Sequence, residues 1–296
     1  MAPPPGVLKG TRILSLALNL PGPAALMRCR QMGAACVKLE PPSGDPMAQY
    51  CAPAYAQLHA GVKVIAADLK AEAGQKLLHR ELARTDVLLT SFRPSALDKL
   101  GLAWDKLHQR YPALSQVAIV GASGAGAETP GHDLTYLAAN ALVPGLELPA
   151  TLYADMSGSL MASEAVLQAA LLQQERYAGT GDVQPGVFIE VALESAAQYL
   201  ALPRHWGLAQ PDGSVGGAHA GYRVYRCQDG RVAVAALEPH FAAALCAAAG
   251  VASSSDAAAM FVPATHEAIA TFLASRTREQ LDQLGRDRDI PLYTMP

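Results

Sequence analysis

The sequence predicts an α/β protein: a Rossmann-like parallel sheet in a large domain over 1–202, a linker over 203–221, and a smaller α+β domain over 222–296. Three observations carry that expectation. Short apolar runs bounded by turn residues alternate with stretches of helical period through the first part of the chain, the rhythm of βαβ units. A segment rich in Gly, Pro and His then breaks the pattern. Beyond it, two apolar runs flank Asp229-Gly230 as in a hairpin, followed by alanine-rich helical stretches.

The elements follow in order. After a proline-rich start, 12–18 reads as a buried strand, Pro21-Gly22-Pro23 as a turn opening a helix over 24–32, and 36–39 as the next strand. The unit repeats with a strand at 64–68, a helix at 75–82 and a strand at 87–90 that opens into Ser91-Phe92-Arg93-Pro94. A helix at 96–100 and a strand at 117–120 come next. Parallel strands linked this way place ligands near their carboxyl ends. The stretch 160–172 is apolar on several helical faces, with Ser163, Glu164 and Gln168 as one narrow polar stripe, so it is expected to bury most of its circumference. A turn at Gly179-Thr180-Gly181, a strand at 187–191 and the hairpin strands 222–226 and 232–236 complete the framework. Helices are expected from there to Arg286.

Composition narrows the function classes. The chain has 296 residues, 51% apolar and 17% charged, with a formal charge of −3, enough apolar material for a sizeable core and no electrostatic footprint for nucleic acid. Five cysteines, odd in number and without a CxxC pair, argue against a disulfide scaffold or zinc knuckle, so a cytoplasmic protein is expected. Lys9 and Arg12 ahead of an apolar run imitate a secretory leader, but the run is short and reads better as the first strand. No apolar run reaches the roughly 20 residues a membrane span needs. Gly121-Ala122-Ser123-Gly124-Ala125 fails as a nucleophile elbow at its fifth residue, Gly124-Ala125-Gly126 lacks the third glycine of a dinucleotide loop, and His266-Glu267 lacks the second zincin histidine. No phosphate-binding P-loop occurs.

Three polar residues stand where strands end or helices begin. His132 opens an apolar stretch, where the positive end of a helix dipole disfavours imidazolium and suits a base. Asp155 precedes the long helix in the position of an N-cap. Glu238 ends an apolar strand, where a solvated turn carboxylate is the ordinary reading.

The residues then carry a resemblance. Gly10-Thr11-Arg12-Ile13-Leu14, Pro21-Gly22-Pro23, Gly33-Ala34-Ala35-Cys36-Val37-Lys38-Leu39-Glu40 and Ala67-Asp68-Leu69-Lys70 are followed, in order, by Thr85-Asp86-Val87-Leu88-Leu89-Thr90-Ser91-Phe92-Arg93-Pro94 and Leu97-Asp98-Lys99-Leu100-Gly101-Leu102. Gly131-His132-Asp133-Leu134-Thr135-Tyr136, Ala154-Asp155, and Asp229-Gly230-Arg231-Val232-Ala233-Val234 leading into Leu237-Glu238-Pro239-His240-Phe241 complete the set. Together they make the chain similar to the family III CoA-transferases and, within them, most to the α-methylacyl-CoA racemase branch. That resemblance implies the family fold with an interlocked homodimer. It implies Asp155 as the catalytic carboxylate, paired in racemases with His132 and supported by Glu238. It also implies coenzyme A contacts from Lys38, Leu69, Lys70, Phe92, Arg93, Lys99 and Leu100, cations for phosphates and apolar groups for the adenine face.

The expected reaction is inversion at C2 of a 2-methyl-branched acyl-CoA by two groups flanking one carbon. No tightly bound cofactor or metal is expected, since coenzyme A enters as part of the substrate. The enolate oxygen is expected to meet backbone N–H groups at the helix start near Asp155, and burial is expected to raise the carboxyl's pKa. Two other readings stand beside it. One is a CoA-transferase working through acyl-Asp155 and CoA-Asp155 intermediates; the other is a catalytically weak binding or assembly relative.

Overall fold

The computed structural model describes residues 6–180, 185–251 and 257–296. The chain divides into two compact units, Met1–Ala201 and Leu202–Pro296. In the first, β1 (Arg12–Ser15), α1 (Pro21–Gln31), β2 (Ala35–Glu40), α2 (Met47–Tyr50), α3 (Ala52–Leu58), β3 (Lys63–Ala66), α4 (Glu72–Leu82) and β4 (Val87–Thr90) follow one another. They continue into α5 (Pro94–Lys99), α6 (Trp104–Arg110), β5 (Ser115–Val120), a short 3-10 turn at Gly124–Glu128, α7 (Asp133–Ala139), α8 (Tyr153–Thr180), β6 (Phe188–Ala192) and α9 (Leu193–His205). The strand order is β3-β2-β1-β4-β5-β6, and every pairing is parallel.

Burial follows position in the sheet. The central strands β4 and β5 are buried at every residue, whereas the edge strand β3 is largely exposed. A parallel sheet covered by helices on both faces demands continuous apolar strands in its middle, which Val87-Leu88-Leu89 supplies. Helix α1 begins at Pro21, earlier than its apolar pattern implies, because proline's fixed φ and missing N–H suit the first helical position.

Helix α8 differs from expectation. It starts at Tyr153 and so carries Asp155 inside its first turn rather than before it. Its buried face consists of small residues, Ala154, Ser159, Ala162, Ala165 and Ala169 with Val166, while Leu160 and Leu171 stay half exposed. Small side chains let the helix approach the sheet closely, and the bulky ones fall on the outer side. Ser163, expected on a polar outer stripe, is buried and accepts a hydrogen bond from Arg28 Nε at 3.1 Å.

The second unit pairs β7 (Tyr222–Cys227), β8 (Gly230–Ala235) and β9 (Leu292–Met295) in the order β7-β8-β9, all antiparallel. Helices α10 (Pro239–Ala248), α11 (Pro263–Ala274) and α12 (Arg278–Arg288) bury Leu245, Ile269, Leu273 and Leu281 against Val232 and Val234. The stretch read as a linker contains the end of α9, which runs to His205, and a π-helical turn at Ser214–Ala218. Gly179 and Thr180 belong to α8, while Gly181, the proline-rich start at 1–5 and residues 252–256 lie outside the described residues. No helix of the described residues is long and apolar enough to cross a membrane.

Candidate active site

The strand order turns at β1, which lies between β2 and β4, so the connections leave β1 and β4 in opposite directions and open a crevice at their carboxyl ends. A cavity of about 170 Å³ lies there. Leu18, Asn19 and Pro21 line it from the β1–α1 connection, Ser91, Phe92 and Arg93 from the end of β4, and Val120 and Gly121 from the end of β5. His132, Tyr136 and Asp155 are also among the lining residues. The loops are tied together: Leu18 N donates to Ser91 Oγ at 3.1 Å, and Glu194 N donates to the Gly121 carbonyl at 2.9 Å. The volume admits a small acyl group and its thioester, not a whole coenzyme A.

His132 is the N-cap of α7, as its position ahead of an apolar stretch predicts. Thr135 Oγ1 accepts from His132 N at 3.0 Å and donates to the His132 carbonyl at 2.7 Å, fixing the residue's backbone at the cavity rim. Asp155, in the first turn of α8, is half-buried. Its carboxylate oxygens accept no hydrogen bond among the described residues, while its backbone N donates to the buried Asp133 Oδ1 at 3.0 Å. Burial, and then the neighbouring Asp133 charge, push the Asp155 carboxyl up to about 6 against the opposing pull of His132. A first-turn carboxylate normally gains from the helix dipole; here desolvation outweighs it.

That shift has a consequence for stability. Below the ordinary value of 3.8 the Asp155 carboxyl is protonated whether the chain is folded or not, so it contributes nothing there. Between 3.8 and about 6 the unfolded chain ionises first, so stability falls as pH rises, and the loss is complete above that window. Asp155→Asn is therefore expected to melt with the parent at acid pH and above it at alkaline pH. Coincident melting curves at alkaline pH would contradict the raised pKa.

Lys38, expected at coenzyme A, is fully buried and is held among protein groups. Its Nζ lies 2.5 Å from Asp45 Oδ2, 3.0 Å from Glu40 Oε1 and 2.8 Å from His59 Nε2. His59 Nδ1 lies 2.7 Å from the Tyr55 carbonyl, which can only accept, so the proton sits on Nδ1 and Nε2 takes a hydrogen bond from the ammonium. Burial pushes His59 below the usual histidine range, consistent with that neutral form. Glu40, Asp45 and His59 are a donor set able to hold a metal, and the Lys38 ammonium occupies the cation's place among them. Asp45 Oδ1 also accepts from Asn19 N at 3.0 Å. The cluster thus anchors Asn19, a cavity-lining residue held in the left-handed region at φ 64°.

The other residues expected at coenzyme A fall in two places. Gln75 Nε2 donates to the Leu69 carbonyl at 2.6 Å and the Leu100 carbonyl at 3.4 Å, drawing those two together. Arg93 and Lys99, both exposed, lie close enough to Glu128 to help hold its carboxyl below the usual range, after the main effect of two hydrogen bonds from Ser95. Phe92 and Arg93 line the cavity, and Lys70 is exposed beyond the end of β3. Glu238 lies in the second unit as the exposed N-cap of α10.

The backbone amides expected to meet an enolate near Asp155 are already engaged. Asp155 N is bonded to Asp133, and Met156 N to the Leu152 carbonyl. Asp133 and Tyr136 are site residues that sequence reasoning missed. The signal was spacing, since Tyr136 follows His132 by four residues and shares its side of α7. Among the described residues no cysteine lines the cavity, and burial pushes the Cys29 and Cys36 thiols up to about 12.

Comparison with known proteins shows the family. The chain is 31% identical over 204 residues to a cinnamoyl-CoA:phenyllactate CoA-transferase of Clostridium sporogenes, covering 64% of this chain and 45% of that one. It is 31% identical over 260 residues to an alpha-methylacyl-CoA racemase of Mus musculus, covering 83% and 66%. The chain therefore spans about half to two thirds of the length of these relatives. A crystal structure of the Mycobacterium tuberculosis protein Rv3272 superposes with a TM-score of 0.81 at 24% identity, covering 98% of this chain and 85% of that one, and shares the fold. The family model described as CoA-transferase family III matches residues 8–295, nearly end to end, and the chain belongs to that family.

Proposed function

We propose that the protein inverts C2 of a 2-methyl-branched acyl-CoA, with His132 and Asp155 as the two groups that remove and return the proton. One observation carries this reading: both side chains line a single cavity of acyl-group size, and the carboxyl among them is pushed up to about 6. A carboxyl with that value exists in both protonation states near neutral pH, as a group that alternates between acid and base requires. In one direction His132 takes the C2 proton and protonated Asp155 supplies one to the opposite face. In the other direction the roles reverse. Coenzyme A would extend out of the cavity past Phe92 and Arg93, with Lys70 and Lys99 toward its phosphates and Leu69 and Leu100 toward its adenine.

A homodimer belongs to the same proposal. It is supported by Tyr153, Met156, Leu160 and Leu171, large apolar residues left exposed along α8. Glu238, on the second unit, is proposed as the histidine's acidic partner in that assembly. A second reading has its own support. The unpaired Asp155 carboxylate is also placed to attack a thioester carbonyl, and the clostridial relative is named a transferase.

The two readings part at His132. In heavy water, without an acceptor acid, the wild type is expected to exchange the C2 hydrogen of a branched acyl-CoA, and His132→Ala to lower that rate by about 10²-fold or more. Acceptor-dependent formation of a new thioester that survives in His132→Ala, with no exchange in the wild type, would replace inversion by transfer.

A further inference from the structure

We propose that the Tyr136 hydroxyl donates the hydrogen bond that holds the substrate's thioester carbonyl oxygen and the negative charge that gathers on it. The inference rests on the acyl-CoA reading above and deepens it by naming a third residue at the reacting atoms.

Tyr136 is only 9% exposed, packs in the core beside Leu137 and Ala154, and lines the cavity together with His132 and Asp155. Its Oη has no hydrogen-bond partner among the described residues. A buried phenol normally finds one; this hydroxyl is not sealed off from the cavity, so a ligand's acceptor can reach it. The hydroxyl's place is kept open by two glycines. A Cβ on Gly121 would stand 2.4 Å from Oη and one on Gly131 2.5 Å from it. Neither glycine has a positive φ, so space and not backbone freedom is what requires them. Both are cavity-lining residues, one at the end of β5 and one just before His132. The two segments converge on this hydroxyl.

The backbone amides nearest the carboxyl, those of Asp155 and Met156, are already bonded within the protein. The surroundings also keep the phenol protonated, since burial, then the Asp155 and Glu194 charges, push it above the usual tyrosine range. A neutral donor facing developing negative charge in a confined site is what preorganised oxyanion stabilisation needs.

The step balances. The C2–H bond breaks, and its proton passes to His132 or Asp155. The electron pair forms the enolate C=C and moves the carbonyl π pair onto oxygen. The Tyr136 O–H remains intact and only shortens its hydrogen bond. Return of a proton from the opposite group restores the thioester. If Asp155 instead adds to the carbonyl, the oxygen that becomes tetrahedral alkoxide is the same one.

The test is vibrational and kinetic together, with propionyl-CoA carrying 13C at its carbonyl. Bound to the wild type, the labelled C=O band is expected below its position in water. In Tyr136→Phe the shift is expected to disappear, and kcat for C2 exchange to fall by about 10²-fold with KM within a few-fold. Gly121→Ala keeps the phenol but displaces the hydroxyl, so it is expected to weaken the shift too; it also keeps the test decisive if Tyr136→Phe does not fold. An unshifted band in the wild type, or a wild-type band or kcat in Tyr136→Phe, overturns the assignment. A wild type that shifts the carbonyl yet neither exchanges nor transfers would instead overturn the reaction proposed above and leave this hydrogen bond standing.

Discussion

Asp155→Ala is expected to lose both C2 exchange and acceptor-dependent thioester formation, each by about 10³-fold or more, because the same carboxyl serves as acid/base in one reaction and nucleophile in the other. The loss is expected without unfolding. The Asp155 side chain accepts no hydrogen bond among the described residues, and the link to Asp133 runs through the backbone N, which alanine keeps. Asp155→Asn is the sharper variant, because it preserves shape and removes only the ability to gain and lose a proton. Melting temperature, C2 exchange by proton NMR and thioester transfer by chromatography measured on both variants check the prediction. An asparagine variant within tenfold of the wild type in either reaction would remove Asp155 from the chemistry.

Lys38→Met is expected to cost about 3–5 kcal/mol of stability, the range for removing one partner of a buried ion pair. The ammonium is fully buried and sits between Asp45, Glu40 and the neutral His59. Without it, two buried carboxylates face each other with no cation, although Tyr55 Oη still donates to Glu40 at 3.1 Å. The damage should reach the cavity, because Asp45 also holds Asn19 N and Met47 N. Urea midpoints give the stability, and activity per folded molecule gives the effect on the site. Neutralising the carboxylates as well, in Lys38→Met with Glu40→Gln and Asp45→Asn, is expected to recover part of the loss. A single variant less than about 1 kcal/mol below the wild type would show that the cluster is solvated and does not carry an ammonium in a dry interior.

The sheet was legible in the sequence because its centre leaves no choice. Val87 to Thr90 is apolar enough to be a strand covered on both faces, and the strand observed there has the expected ends. Lys38 in the middle of such a strand could also have been recognised as buried, and hence as paired inside the protein. Helices α2, α3 and α6 are short, with few apolar positions to set a period. Helix α9 follows β6 with no turn residue between them and contains Pro203, so it merged with the segment read as a linker. Strand β9 has four residues between two prolines and takes its place through pairing with β8, which no local pattern reveals.

The site was legible only in part, for a physical reason. His132 and Asp155 looked like a loop residue at a helix start and an N-cap, and their meeting in one cavity depends on α7 and α8 both starting at the carboxyl end of the sheet. Tyr136 reads as a core aromatic, and most of its ring is one. What marks it is the empty space above Gly121 and Gly131, a property of convergence between segments and not of either alone.

The most direct measurement follows a single epimer of a 2-methylacyl-CoA in heavy water and reads deuterium at C2 in each epimer from the earliest turnover. Two groups on opposite faces of one carbon predict that the inverted epimer appears deuterated while the recovered starting epimer still carries its original hydrogen. Deuterium entering the starting epimer as fast as inversion proceeds, or no inversion at all, would contradict the placement of His132 and Asp155 on either side of the reacting carbon.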